Sequence, residues 1–221
     1  MKTKEVIKRY FIFLIGLACN SFGVAFTTKA SLGASPIASI PYSLSLCAPR
    51  FTMGNYVIMF NLLMILIQWM ILRSRADKRK LILQVIITFI FGYCTDFSLA
   101  VLADLHPSEY YMQIISLLIG CCILGLGVFF ELIGNVGMLP GNAISDTIAN
   151  ALHKEYGKVR MVADISMTLV AAIISLVFLH RLESVREGTV IAAFLVGNTV
   201  TLYKKILRPL EAALNRWITA E

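Results

Sequence analysis

Apolar residues run through this chain in long blocks, separated by short polar clusters that are mostly basic. Blocks at 10–28, 55–72, 81–103, 111–133, 161–179 and 185–203 are each close to the ~20 residues that a helix needs to cross a bilayer. They predict six transmembrane helices. Two further segments, 35–47 and 142–153, are too short and too polar to cross. They predict half-helices that enter the membrane and return on the same side. No stretch has the alternating pattern of a membrane β-barrel.

The blocks also recur. Gly16, Gly23, the stretch Gly33-Ala34-Ser35-Pro36-Ile37, Gly54 and Gly92 in the first half answer Gly120, Gly127, the stretch Pro140-Gly141-Asn142-Ala143-Ile144, Gly157 and Gly197 in the second. The spacing is 104 for Gly16 and Gly120, 107 for Ile37 and Ile144, 103 for Gly54 and Gly157, and 105 for Gly92 and Gly197. Three crossings per unit is an odd number, so the second unit starts on the opposite side from the first. The predicted fold is an all-α polytopic membrane protein, one membrane domain over 1–221. It is a 3+3 inverted repeat, each repeat with a re-entrant, broken half-helix. The repeats fall at about 9–103 and 111–206, and 207–221 forms an interfacial C-terminal helix.

Charge fixes the orientation. With the N-terminus inside, 16 of the 20 Lys and Arg residues fall on the inner side; Lys29, Arg50, Arg181 and Arg186 fall outside. An eight-span alternative would put the basic loop 73–80 outside, and is rejected for that reason. Both termini are therefore expected in the cytoplasm, with the first block an uncleaved span. The net charge of +7 reflects this bias and gives no ground for nucleic-acid binding. Composition agrees: 58% hydrophobic, 15% charged and a mean hydropathy of +0.78, against roughly half apolar and a quarter charged in soluble domains.

Each short segment opens with helix-starting residues. Ser35 suits an N-cap with Pro36 at the first helical position, and Asn142 suits an N-cap after the Pro140-Gly141 break. Irregular backbone at membrane depth needs a protein or wet surrounding. Two helix N-termini meeting near the midplane would present free N–H groups and positive dipole ends to an anion. The expected substrate-binding set is Gly33, Ser35, Pro36, Gly141, Asn142 and Ser145.

Carboxylates supply the second signal, since one in hydrocarbon costs at least ~2.5 kcal/mol unless paired, protonated or wetted. Asp96, Asp146 and Asp164 are the candidates for proton or ion coupling. Asp164 lies 103 residues after Asn61, so a polar residue recurs there. Glu131 and Asp164 fall near predicted span ends, where they can reach water. Asn20, Thr27, Thr28, Gln84, Asn135 and Asn198 add polarity. The five cysteines have no CxxC spacing and read as small apolar side chains. The three histidines are scattered over span ends and loops, so no metal site and no cofactor are expected.

The segments Ser31-Leu32-Gly33-Ala34-Ser35-Pro36, Leu139-Pro140-Gly141-Asn142-Ala143-Ile144-Ser145-Asp146 and Gly188-Thr189-Val190-Ile191-Ala192-Ala193-Phe194-Leu195-Val196-Gly197 resemble the YczE/YyaS/YitT family of bacterial integral membrane proteins. The resemblance covers nearly the whole chain. It implies a bacterial plasma (inner) membrane location and carries no substrate or site residue across.

The leading functional expectation is a gradient-driven transporter or permease for a small polar solute, with an organic anion as first candidate, working by alternating access around a midplane site. The alternatives are a non-transporting scaffold or accessory protein for a cytoplasmic enzyme, docked on 73–80 and the tail, and a substrate-capturing subunit of a larger importer. A homo-oligomer is left open. There is no HExxH or GxSxG motif and no nucleotide-binding loop, so the chain is not expected to be an enzyme.

Overall fold

The computed structural model describes residues 3–73, 77–182 and 184–219. Lys2 and Arg75 of the charge bias, and residues 220–221 of the tail, lie outside the described residues. Among the described residues the chain is all helical. Its elements are α1 (Thr3–Lys29), α2 (Pro36–Cys47), α3 (Met53–Leu72), α4 (Lys78–Val101), α5 (Tyr110–Gly134), α6 (Pro140–Leu152), α7 (Tyr156–Leu179), α8 (Glu187–Ile206) and α9 (Arg208–Thr219).

Helices α1, α3, α4, α5 and α7 are each long and apolar enough to cross a membrane. The sixth expected span forms as α8, but Glu187 in its first turn and Lys204 and Lys205 in its last shorten its apolar stretch. It qualifies only together with α9, from which it bends by 72°. These helices identify a polytopic membrane protein.

Prolines set where the short helices begin. Pro36 takes the first position of α2, where its missing N–H has no helical partner to lose. Ser35 is the N-cap residue in extended conformation, and its hydroxyl makes no cap bond. Helix α6 starts three residues earlier than an N-cap at Asn142 predicts. Leu139 is its N-cap and Pro140 its first residue, so Asn142 is already inside the first turn, its N–H bonded to the Leu139 carbonyl at 2.9 Å. The two prolines lie 104 residues apart, the spacing of Gly16 and Gly120. This Pro–Pro match replaces the Ile37–Ile144 match at 107.

The centre of the bundle is the α1–α5 pair, and glycine explains how closely it packs. A methyl group on Gly16 would sit 2.8 Å from the Gly127 carbonyl oxygen, and one on Gly23 would sit 2.6 Å from Leu124 and 3.0 Å from the Gly120 carbonyl oxygen. Rising numbers on α1 meet falling numbers on α5, so the helices run antiparallel. Small residues permit this approach.

The other helices wrap around the pair: α4 lies on α1 and α8 on α5, while α3 packs on α4, α2 and α6, and α7 on α2 and α6. Span hydroxyls are mostly absorbed by their own helices. Ser21, Thr27, Thr28, Thr95 and Ser98 each bond a carbonyl three or four residues back, at 2.7 to 2.9 Å.

The loop before α2 is stitched to the start of α8. Ala34 N–H bonds the Ser184 carbonyl at 3.1 Å, Gly188 N–H bonds the Leu32 carbonyl at 2.8 Å, and Arg186 donates to the Ser31 carbonyl at 3.0 Å. Gly33 is required here twice over. Its φ is +95°, and a methyl group would lie 2.5 Å from the Thr189 hydroxyl. At the C-terminus, α9 tucks Ile218 against Ile12, Phe129 and Ile133 and leaves Leu210 and Trp217 exposed. Lys8 donates to the Trp217 carbonyl at 2.6 Å and sits 5.0 Å from its ring centre.

Candidate functional site

The first turns of α2 and α6 touch: a methyl group on Gly141 would lie 3.1 Å from Ile37. Around that meeting point the bundle holds a cavity of about 1130 Å³. It reaches from Asn20 and Val24, midway along α1, to Lys80 at the start of α4, Tyr156 at the start of α7 and Lys204 near the end of α8.

Six of the nine predicted site residues line this cavity: Ser35, Pro36, Gly141, Asn142, Asp146 and Asp164. Asn61 lines it as well, so the polar position that recurs at a spacing of 103 faces the same space in both halves. Three predicted residues do not line it. Gly33 is spent on the loop against Arg186 and Thr189. Ser145 is fully buried, and its hydroxyl points at the Gly141 carbonyl, 3.5 Å away. Asp96 lies at the α3–α4 contact, where its carboxylate accepts from the Thr52 hydroxyl at 2.6 Å and the Gly54 N–H at 2.7 Å. It closes the N-terminus of α3.

Sequence reasoning missed the principal cation of the cavity, Arg160. The span was predicted to start at 161, which left Arg160 in a loop and counted it for orientation only. Helix α7 begins at Tyr156, and Arg160 and Asp164 therefore share one helix face, four residues apart. Arg160 Nε lies 3.0 Å from both Asp164 oxygens, and Nη1 donates to the Asn142 Oδ1. Both ion-pair side chains are about a fifth to a quarter exposed, at 24% and 21%. The remaining guanidinium nitrogen has no protein partner among the described residues. The pair thus ties α7 to the first turn of α6 and still offers N–H donors to the cavity.

A family model, a family of unknown function (DUF6198), matches residues 7–205. The chain belongs to the DUF6198 family. No curated protein and no solved structure matches this DUF6198 member.

Further polar groups of the DUF6198 chain converge on the same space. Gln68 is 2% exposed and donates its amide to the Pro140 carbonyl at 3.2 Å, fixing the first turn of α6 from α3. The Gln84 amide oxygen on α4 is buried, lines the cavity and has no hydrogen-bond partner among the described residues. Such an orphaned acceptor costs about 1–3 kcal/mol unless something fills it. Glu131 is 5% exposed, so it does not reach bulk water as its place near a span end predicts. The close α1–α5 packing seals it, and it accepts from Asn20 Nδ2 at 2.7 Å. Asp146 accepts from Asn150 at 3.2 Å, also on the cavity wall. The space therefore combines two helix N-termini, one guanidinium and several amides. Its wall also carries the carboxylates of Asp77, Glu131, Asp146 and Asp164 and the ammonium groups of Lys80 and Lys204, so charges of both signs face one space.

Proposed function

We propose that this protein is a gradient-driven transporter or permease for a small polar solute bearing an anionic group, in a bacterial plasma membrane with both termini inside. The observation that carries the reading is the cavity of about 1130 Å³ that joins both half-helix N-termini to Arg160. A pocket of that size, mainly apolar with a few polar groups, is of the kind that takes small ligands. The solute's anionic group would take the free guanidinium N–H donors of Arg160, beside the positive ends of the α2 and α6 helix dipoles. Its remaining polar atoms would meet Gln84 and Asp146.

The mechanism is alternating access between two inverted halves, with α2 and α6 as re-entrant half-helices. The antiparallel α1–α5 pair supports this: Gly16 meets Gly127 as Gly23 meets Gly120, the reciprocal pattern that a two-fold axis produces. The pairings of α2 with α7 and α3 with α6, and of α1 with α4 and α5 with α8, support it too.

The test is uptake of a panel of radiolabelled organic anions by liposomes containing the purified protein. At least one is expected to enter faster than into empty liposomes. Arg160→Ala should reduce that uptake tenfold or more, as expected for losing a charged hydrogen bond of about 1.5–3 kcal/mol. Equal rates with and without protein across the panel would count against transport. Uptake indifferent to Arg160→Ala would remove the anion from the reading.

A further inference from the structure

We propose that Glu131 is a reversible proton-binding site in the wall of the cavity, with Asn20 holding it in both of its states. The inference deepens the transport reading, since it names the proton as the coupling ion of the same site.

Five carboxylates bear on the question and differ in what holds them. Asp77, on the cavity wall, is the N-cap of α4 and accepts the Arg79 N–H at 3.1 Å. Asp96 is used by Thr52 and Gly54 at the α3–α4 contact and does not line the cavity. Asp164 is gripped through both oxygens by Arg160. Asp146 bonds Asn150 on its own helix, one turn away. Glu131 alone among them is nearly closed off from solvent, lines the cavity and bonds a neutral amide on another helix. Its second carboxylate oxygen has no protein partner among the described residues.

The neutral partner matters. An asparagine amide carries a donor and an acceptor on one group. It can give N–H to a carboxylate, and after turning over it can take O–H from a carboxylic acid. A guanidinium or ammonium, having no acceptor, can do only the first.

The surroundings leave the carboxyl to that amide. On α1, Arg9 is engaged by Glu5 at 3.0 Å. Helix α8 brings Tyr203 toward Phe129 and Ile133 and puts Lys204 on the cavity lining. Helix α9 turns Leu214 and Ile218 toward α5. Across the cavity stand Asp77, Lys80, Asp146 and the Arg160–Asp164 pair. None of these forms an ion pair with Glu131. The proton comes from cavity water and bonds a carboxylate oxygen, neutralising the group; release is the reverse, and no other bond changes.

Infrared spectroscopy of the full-length protein in lipid nanodiscs, titrated from alkaline to acid pH, tests this directly. A carboxylic-acid C=O band should grow on acidification and be absent from Glu131→Gln. In Asn20→Leu the band should persist with its midpoint moved by about one pH unit, a tenfold change in proton affinity. A wild-type spectrum from which Glu131→Gln removes no titrating band, a Glu131 band that follows sodium in place of pH, or an unmoved midpoint in Asn20→Leu would each overturn the proposal. If Glu131→Gln does not fold, isotope labelling of glutamate in the wild type and in Asn20→Leu replaces it. A glutamate band with the same midpoint in both, or no titrating glutamate band, then overturns it. Uptake measured in parallel separates the two claims. A Glu131 titration without uptake of any solute keeps the proton site and sinks transport, whereas uptake indifferent to a pH gradient and to Glu131→Gln does the opposite.

Discussion

Helices α3 and α4 meet along a seam that α7 and α8, at the corresponding places in the sequence, leave open. At the first seam, a methyl group on Gly54 would strike the Gly92 carbonyl and come within 2.6 Å of the Asp96 carboxylate, and one on Gly92 would lie 2.8 Å from the Gly54 carbonyl. At the second, Gly157 and Gly197 have nothing within 4 Å. The two pairs sit 103 and 105 residues apart, so the sequence keeps small residues at both seams while the packing uses them at one. Gly197, Tyr156, Arg160 and Lys204 all line the cavity. Of the unused glycines Gly197 thus lies on the cavity wall, whereas Gly54 and Gly92 lie in the closed α3–α4 contact. A glycine in a helix interior costs roughly 0.5–1 kcal/mol relative to alanine. The first pair offsets that by close packing; the second pair gains nothing in this arrangement and would gain it only in one where α7 and α8 meet.

The comparison can be broken most forcefully at the closed seam. Gly92→Leu must displace Ile58 and the Gly54 backbone. Overpacking of this kind costs about 1–3 kcal/mol, and thermal unfolding in detergent should record a clearly lowered midpoint. An unchanged midpoint would mean that α3 and α4 are not held together as described.

Asp96 comes next. It accepts from Thr52, whose hydroxyl in turn accepts the Asn55 N–H at 3.2 Å, and it takes the Gly54 N–H directly. Asp96→Ala strands two donors at the start of α3, a loss of about 1–2 kcal/mol by analogy with helix caps. The residue 104 positions later is Val200, so the open seam has no matching carboxylate. Val200 is half-buried on the cavity wall, and Val200→Ala should lower the unfolding midpoint less than Asp96→Ala does, because it leaves no donor stranded. Equal losses at the two positions would erase the asymmetry.

What could be read in advance follows the same division. Glycine landmarks were legible because close helix approach admits few other residues, and Pro36 and Pro140 were legible as breaks because proline lacks an N–H. The start of α6 was misjudged because Asn142 is a good N-cap residue, whereas the chain uses Pro140 at the first position. Arg160 was hidden by the rule that assigns basic residues near span ends to solvent; an extra helical turn before residue 161 brought it into the bundle. Glu131 was hidden by its distance along the chain from the span centre. Its burial comes from Gly16 and Gly127 drawing α1 onto α5, a contact between residues more than a hundred positions apart. Asp96 was noticed for its charge, but its role depends on where the start of α3 lies, which no local pattern encodes.

The one substitution expected not to destabilise is also the sharpest probe of the seam. Gly197→Ala adds a methyl group into open space, and alanine is the better helix former by about 1 kcal/mol. The unfolding midpoint should therefore hold or rise slightly. If transport requires α7 and α8 to close as α3 and α4 do, the same methyl group would meet backbone in the closed arrangement, as one at Gly92 does here. Solute uptake in liposomes should then fall although the protein is no less stable. The paired outcome separates a seam that closes from one that is simply lipid-filled: in the second case Gly197→Ala would leave the uptake rate where it was while the midpoint held or rose, and the recurrence of the two glycine pairs within the chain would have to be explained by folding or helix insertion alone.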